Sequence, residues 1–418
     1  MKFVLVLPPS PWLLSDRDQP LTGALYIASF IKTYSYEVQV ADLAGVPEEY
    51  WHVPIGDAYG VTGTTPHFPY MKKIIEKLKA REPNKPVIVG GVHASVLPGH
   101  VMNYTKADCC VVGEGEQAIV KILHSLDLKK EIGKVYYSDP VKNLDELPFP
   151  DRNSIDYFDY MVPQTYKYLV GQAPVREASI ITGRGCPYHC SYCASFKLYG
   201  GKVRFRSPEN VYSELEFLKD EYDIGLCNFI DDTFTLKKTR VAKICTLIKP
   251  LGIKWFCLSR TDTADLDLFK KMKKSGCLSI TFGFESGSDR VLGIINKKAY
   301  VYQSYKAIKM AKEAGLKIRG QMMVGLPRET DEDVELTAQF IKKAKEVDTF
   351  GLHVFQPYPG CDIWENPKHY DWPPVNVDKY SFHSIGKPDE KLTDDNEVWD
   401  RYLYLKSIIG SRNIEEMK

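Results

Sequence analysis

The chain has almost no net charge, with 55 Lys and Arg against 54 Asp and Glu leaving +1 over 418 residues. That balance excludes a bulk electrostatic partner, so neither nucleic acid nor an anionic membrane surface is expected. No apolar run is long enough to span a bilayer. The opening residues, Met1 to Pro9, are too short for a signal peptide and lack a cleavage site. The 10 cysteines show no paired secretory spacing, which points to a reducing, cytoplasmic setting. Hydrophobic residues at 44% and charged residues at 26% are ordinary for a globular chain. The length allows two or three domains and a large core. Tyrosine is plentiful at 26, with rich stretches near 157–168 and 298–305 to which no chemistry is assigned.

Strand and helix patterns alternate twice. In residues 1–127 the candidate strands are Lys2–Leu7, Glu37–Ala41, Ala58–Thr62, Pro86–Val89 and Asp108–Val112. Helical spacing falls at Gly23–Thr33, Tyr70–Ala80 and Gln117–Ser125. This rhythm predicts a doubly wound, Rossmann-like parallel sheet, whose ligands sit beyond the carboxyl ends of the strands. Those ends carry Pro8-Pro9, Thr62-Gly-Thr-Thr65, Gly90-Gly-Val-His-Ala-Ser95 and Gly113-Glu-Gly-Glu116. Glycine after a strand is also common loop chemistry. Residues 128–175, with the proline-punctuated Leu144 to Arg152, read as a connector.

From 176 to 362 the alternation resumes. Strands are expected at Ala178–Ile181, Leu226–Ile230, Lys254–Leu258, Leu278–Phe284, Lys317–Val324 and Phe350–Gln356. Helices are expected at Pro208–Lys219, Lys237–Ile248, Asp265–Ser275, Tyr302–Ala314 and Asp331–Val347. Six such strands predict a partial (β/α)6 TIM-type barrel, with its reactive groups at the strand carboxyl ends. The tail, 363–418, is Pro-, Tyr- and Trp-rich before helical spacing at Asp394–Ser411. The fold class is therefore α/β: a doubly wound domain, a partial barrel and a short helical tail.

Directly after the first barrel strand comes Gly183-Arg-Gly-Cys-Pro-Tyr-His-Cys-Ser-Tyr-Cys193. Cys186, Cys190 and Cys193 have C-x3-C-x2-C spacing, and thiolates suit iron–sulfur clusters or zinc. Three thiolates can hold three irons of a 4Fe–4S cube and leave the fourth open to a small ligand. The other reading is a structural zinc knot using His189, although His189 adjoins Cys190 and no second C-x2-C half exists.

The cysteine loop and most of the chain around it resemble the radical S-adenosylmethionine (SAM) superfamily. The order of segments in 1–127, with Gly90 to Ser95 and Gly113 to Glu116, resembles the cobalamin-binding domain fused to one large class of these enzymes. No Asp-x-His-x-x-Gly segment is present, so the usual lower cobalt ligand is missing. The resemblance implies that Cys186, Cys190 and Cys193 hold a 4Fe–4S cluster whose open iron binds SAM, which is cleaved to a 5′-deoxyadenosyl radical. It places Thr62, Gly63, Thr64, Gly90, Gly91, Val92, His93, Gly113 and Glu114 against cobalamin. His93 is either a lower-face neighbour or a satisfied loop histidine.

The same resemblance sets Tyr192, Asp231, Asp232, Arg260, Glu285, Gly325 and Gln356 around SAM. Tyr192 takes the aromatic position near adenine. Asp231 and Asp232 either meet the methionyl ammonium or favour a helix N-terminus. Arg260 either pairs with the methionyl carboxylate or faces solvent. Glu285 meets the ribose hydroxyls in preference to a structural ion pair. Gly325 turns near adenine, and backbone groups around Gln356 read its edge. Met322 and Met323 read as core. The C-terminal part of this class often closes the barrel mouth.

The implied activity is cobalamin-dependent methylation of an unactivated carbon (or phosphorus) in a small-molecule or peptide substrate. An external electron donor such as flavodoxin or ferredoxin would serve it. Two other readings are radical cyclisation, rearrangement, dehydration or oxidation without methyl transfer, and a non-catalytic cobalamin or redox sensor.

Overall fold

The computed structural model describes residues 1–13, 15–162, 175–377 and 393–410. The tyrosine-rich positions 163–168, much of the Trp364–Lys391 stretch and Ser411 lie outside the described residues. The chain forms two compact units, Met1–Met161 with Lys197–Tyr199, and Val162–Phe196 with Gly200–Lys418. Among the described residues, no helix is long and apolar enough to cross a membrane.

The first unit holds β1 (Lys2–Leu7), β2 (Glu37–Asp42), β3 (Ala58–Thr62), β4 (Val87–Gly90), β5 (Cys109–Val112) and β6 (Val135–Tyr137). They form one sheet in the order β2-β1-β3-β4-β5-β6, parallel throughout. Side chains alternate between faces along each strand. Val4, Val6, Tyr59, Val61, Val87 and Val89 pack on helix Phe68–Arg81 through Met71, Ile74 and Ile75. Phe3, Leu5, Leu7, Ile88 and Val111 pack the other way, on Ala24, Ala28 and Ile31 of helix Thr22–Lys32 and on Ile119 and Ile122 of helix Gly115–Asp127. Both faces are covered, as a doubly wound sheet requires. The strand order reverses between β1 and β3, which puts the crevice for a ligand at their carboxyl ends. The sixth strand, β6, comes from the stretch read as connector. Three residues with one apolar face partly exposed carry little periodic signal.

In the second unit β7 (Arg176–Ile180), β10 (Ile224–Phe229), β11 (Lys254–Ser259), β12 (Cys277–Glu285), β13 (Lys317–Val324) and β14 (Thr349–Val354) form the partial barrel. The order is β14-β13-β12-β11-β10-β7, parallel throughout, while β8 (Gly183–Arg184) and β9 (Arg204–Phe205) make a short antiparallel pair. The intervening helices start where local chemistry dictates. Ser207 accepts from the backbone N–H of Asn210 at 3.1 Å, with Pro208 following it. Asp265 accepts from Leu268 at 2.9 Å. Thr330 and Asp333 form a reciprocal capping box. Buried aromatic rings fill the core: Phe229, Phe234, Trp255, Phe256, Phe282, Phe284 and Phe350 are each nearly inaccessible. Met322 is likewise fully buried, and Met323 packs on the cluster around Val291, Leu326 and Phe355. The C-terminal helix, Asn396–Gly410, buries Leu405 and Ile409.

Candidate cofactor sites

The cysteine loop leaves the carboxyl end of β7 and is held by three separate elements. Each sulfur meets polar groups, and Cys186 also accepts from the backbone N–H of Tyr188. Cys186 Sγ lies 3.8 Å from Thr233 Oγ1, Cys193 Sγ accepts from the backbone N–H of Ser195 at 3.5 Å, and Cys190 Sγ accepts from Arg260 Nη1 at 3.4 Å. Burial pushes the Cys193 thiol up to about 12, with the neighbouring charges of Asp232, Cys190 and Cys186 acting the same way. Burial also raises Cys186.

Among the described residues, no three His, Cys, Asp or Glu side chains converge on a single metal-ion position. One tetrahedral zinc would require sulfurs within ~3.8 Å of each other, given Zn–S bonds of ~2.3 Å. A cube in which each thiolate takes its own iron sets them further apart. Three soft thiolates in C-x3-C-x2-C spacing are a donor set that fits three irons of a 4Fe–4S cluster. His189 stacks on Phe196 with ring centroids 4.0 Å apart, so it packs rather than joining the sulfurs.

Around the loop the expected SAM residues form a connected web. β12 ends in an irregularity of register against β13 between Gly283 and Glu285, and such bulges re-aim a side chain. Glu285 sits in the left-handed region at φ 66°. Its carboxylate folds back over Gly283, where a Cβ would lie 2.2 Å from Oε1. That Oε1 accepts from Lys297 Nζ at 2.8 Å and from the Tyr192 hydroxyl at 3.1 Å. Lys297 Nζ also donates to the Tyr192 oxygen at 3.1 Å. Lys297 is buried, as is the carboxylate. Glu285 therefore makes the structural ion pair that the sequence reading ranked second, because a buried carboxylate at this position requires a cation. Burial, then the Glu285 charge, hold the Tyr192 phenol well above its ordinary value.

Two further residues depart from their expected roles. Asp231 spends both oxygens on Thr182, accepting from its backbone N–H at 2.6 Å and its hydroxyl at 2.5 Å. It ties β10 to β7 rather than presenting a face to a ligand, and burial raises its pKa. Asp232 is the exposed member of the pair, with Oδ2 accepting from Ser195 Oγ at 2.6 Å. Arg260, at 7% exposure, does not face solvent. Its Nε and Nη2 bond the two oxygens of Asp262 at 3.0 Å each, so its fork is already filled by a carboxylate of the chain. Gly325 has φ 79°, donates to Glu329 Oε2 at 2.7 Å, and abuts Val398 of the C-terminal helix. Gln356 is half-buried just beyond β14. Lys297, Thr182 and Asp262 carry no sequence signal of their own: each matters only through the partner that the fold sets against it.

In the first unit the expected cobalamin residues line the carboxyl ends of β3, β4 and β5. Thr62 and Gly63 close β3, and Thr64 Oγ1 lies 2.8 Å from His67 Nδ1. Gly90 has open space on its side-chain side, Val92 is 38% exposed, and Gly91 packs against Thr62 and Gly63. This glycine and small-residue rim fits a large, flat macrocycle approached by backbone. His93 is fully buried with Nδ1 3.2 Å from Thr65 Oγ1 and Nε2 3.1 Å from His100 Nδ1. It is the satisfied loop histidine, with no nitrogen left for a metal. Gly113 takes φ 94° at the end of β5, and the Glu114 carboxylate accepts from the backbone N–H of Val141 at 2.7 Å.

The Radical SAM superfamily matches residues 180–341, and the B12 binding domain matches residues 16–123. An uncharacterised methyltransferase of Pyrococcus horikoshii is 34% identical over 393 residues, covering 87% of this chain and 83% of that protein. An anaerobic magnesium-protoporphyrin IX monomethyl ester cyclase of Rubrivivax gelatinosus is 27% identical, covering 83% of this chain and 64% of its own length. Among solved structures, the radical SAM methyltransferase TsrM of Kitasatospora setae, with cobalamin and a 4Fe–4S cluster bound, superposes with TM-score 0.70. It is 16% identical, and the match covers 88% of this chain and 74% of that one.

Proposed function

Because the chain belongs to the cobalamin-dependent branch of the radical SAM enzymes, we propose that it methylates an unactivated carbon (or phosphorus) of a small-molecule or peptide substrate. The observation that carries this reading is the trio Cys186, Cys190 and Cys193 in the loop that leaves the carboxyl end of β7, in a chain that also carries a doubly wound unit whose strand ends bear Gly63, Gly90, Gly91 and Gly113. When bound, the cluster with SAM supplies a radical on the substrate, and cobalamin supplies the methyl group.

The protein's own contribution is placement and exclusion. Residues 1–127 hold the macrocycle through Thr62, Gly63, Thr64, Gly90, Gly91, Val92, Gly113 and Glu114 without a cobalt-ligating histidine. Residues 176–362 hold the cluster through Cys186, Cys190 and Cys193. Asp232, exposed beside the loop, is left to meet the SAM ammonium. Tyr192 and Glu285, fixed by Lys297, bound the adenosyl side, and the backbone near Gly325 and Gln356 completes it. An external one-electron donor of the flavodoxin or ferredoxin type would supply the electron that such a centre needs.

The 27% identity to the cyclase, spread over 83% of the chain, favours a second reading: radical chemistry on a carbon skeleton without methyl transfer. The test is anaerobic reconstitution with hydroxocobalamin supplied, followed by the visible spectrum and iron and cobalt analysis. Stoichiometric cobalt beside four irons, lost iron in Cys190→Ala, and SAM-derived methyl label in product support methylation. A four-iron cluster with no cobalt ends the methyltransferase reading.

A further inference from the structure

Arg260 stands at the centre of the loop's supports, yet it is not free to bind a ligand. Immediately after β11 its guanidinium is fixed on four sides. Asp262 takes Nε and Nη2, each at 3.0 Å, and the backbone carbonyl of Lys297 accepts from Nη2 at 2.6 Å. The guanidinium carbon sits over the Tyr188 ring, 3.6 Å from its centroid. The remaining arm, Nη1, points at Cys190 Sγ, 3.4 Å away. Among the described residues, the charged donor falls to Cys190, whereas Cys186 meets the Thr233 hydroxyl and the backbone N–H of Tyr188, and Cys193 the backbone N–H of Ser195.

Residues 295–297 brace the same loop in register. Ile295 O accepts from Ser191 N at 2.9 Å, and Asn296 Nδ2 donates to His189 O at 2.6 Å. Lys297 takes Tyr192 with its side chain and Arg260 with its carbonyl. Asn296 within this brace and Lys298 beside it adopt left-handed backbone, φ 50° and 52°. Strained backbone that persists at a site marks a conformation over-determined by its surroundings. The N–H directed at Cys190 is therefore held, not incidental.

Resting on the reading that Cys186, Cys190 and Cys193 hold the cluster, we infer that Arg260 is a positioning residue that sets the cluster's reduction potential through Cys190. A hydrogen bond to a ligand sulfur withdraws electron density and favours the reduced, more negative cluster. A buried positive charge acts in the same direction, more strongly than it would in water. Asp262 opposes it, since its negative charge partly cancels the guanidinium. Arginine suits the task because its rigid fork bonds Asp262, Lys297 and Cys190 at once, which an ammonium cannot reproduce.

The two partners therefore have opposite effects. In anaerobically reconstituted full-length protein, redox titration followed by electron paramagnetic resonance reads the midpoint potential, with iron and sulfide analysis beside it and SAM affinity measured by equilibrium dialysis. Arg260→Gln is expected to lower the potential, Asp262→Asn to raise it, and Arg260→Lys to fall between Arg260→Gln and the parent. Should Arg260→Gln fail to assemble the cluster, Asp262→Asn carries the test alone. Equal potentials in parent and Asp262→Asn, or shifts of the same sign in both charge variants, overturn the inference. So does loss of SAM affinity in Arg260→Gln at unchanged potential, which would make the arginine a ligand for the SAM carboxylate. A parent protein that takes up no four-iron cluster would instead end the functional reading itself.

Discussion

Glu285 and Lys297 form a buried ion pair, Oε1 to Nζ at 2.8 Å, and the Tyr192 hydroxyl lies 3.1 Å from each of those atoms. Lys297→Met strands the carboxylate without its cation. Breaking a buried pair by removing one partner costs about 3–5 kcal/mol. Urea denaturation of the full chain should show a loss of that order. Glu285→Gln in the same background should recover part of it, because the neutral amide needs no cation. No change on Lys297→Met would mean the pair is wet.

Gly325 is fixed by two independent demands. Its φ of 79° disfavours any side chain, and a Cβ there would lie 2.7 Å from Val398 Cγ1. Gly325→Ala should cost about 1–3 kcal/mol from the backbone alone, with overpacking against the C-terminal helix added. Val398→Ala in the Gly325→Ala background should return only the steric part. Thermal melts of the two single variants and the double variant separate the two terms.

Glu329 gives the protein a stability contribution on the acid side. Burial lifts its carboxyl from 4.5 to about 7, against the backbone N–H of Gly325 and the charge of Arg401, which favour ionisation. The folded chain thus keeps a proton that the unfolded chain releases. Its contribution is full below about 4.5 and is lost as pH rises to about 7. Glu329→Gln should flatten the stability profile across that window, measured by denaturant midpoints at a series of pH values.

His93 and His67 act with the opposite sign. Burial depresses them to about 3 and about 4, with the His100 charge adding to the effect on His93. The folded first unit holds both rings neutral while the unfolded chain protonates below 6.5. Their contribution is full above 6.5 and is lost as pH falls toward 3. His93→Gln should reduce the acid-side loss of stability. An unchanged acid limb would mean that the buried ring accepts a proton in the folded state.

The elements were legible because each obeys a local rule. The six barrel strands are short apolar runs, and their helices begin at Ser207, Asp265 and Thr330, residues whose side chains cap the following turn. The strand β6 escaped because three half-exposed residues show no period. At the site, the cysteine spacing is a contiguous signal that reads directly. The roles of Asp231, Arg260 and Glu285 do not read this way, since each is decided by contacts that only the folded loop and strand ends bring together. Thr182 is 49 residues from Asp231, Cys190 is 70 from Arg260, and Tyr192 is 105 from Lys297.

By itself the sequence determined the alternation of strands and helices, the two α/β units and the loop that gathers three thiols. These follow from side-chain period, capping chemistry and ligand spacing, all of which act within a few residues. Only the tertiary structure decided which charged groups remain available. A carboxylate or guanidinium taken out of water must find a counter-charge, and which one it finds depends on how the strand ends converge. That convergence made Asp231 a tie between strands, gave Glu285 to Lys297, and turned Arg260 away from solvent toward the sulfur of Cys190.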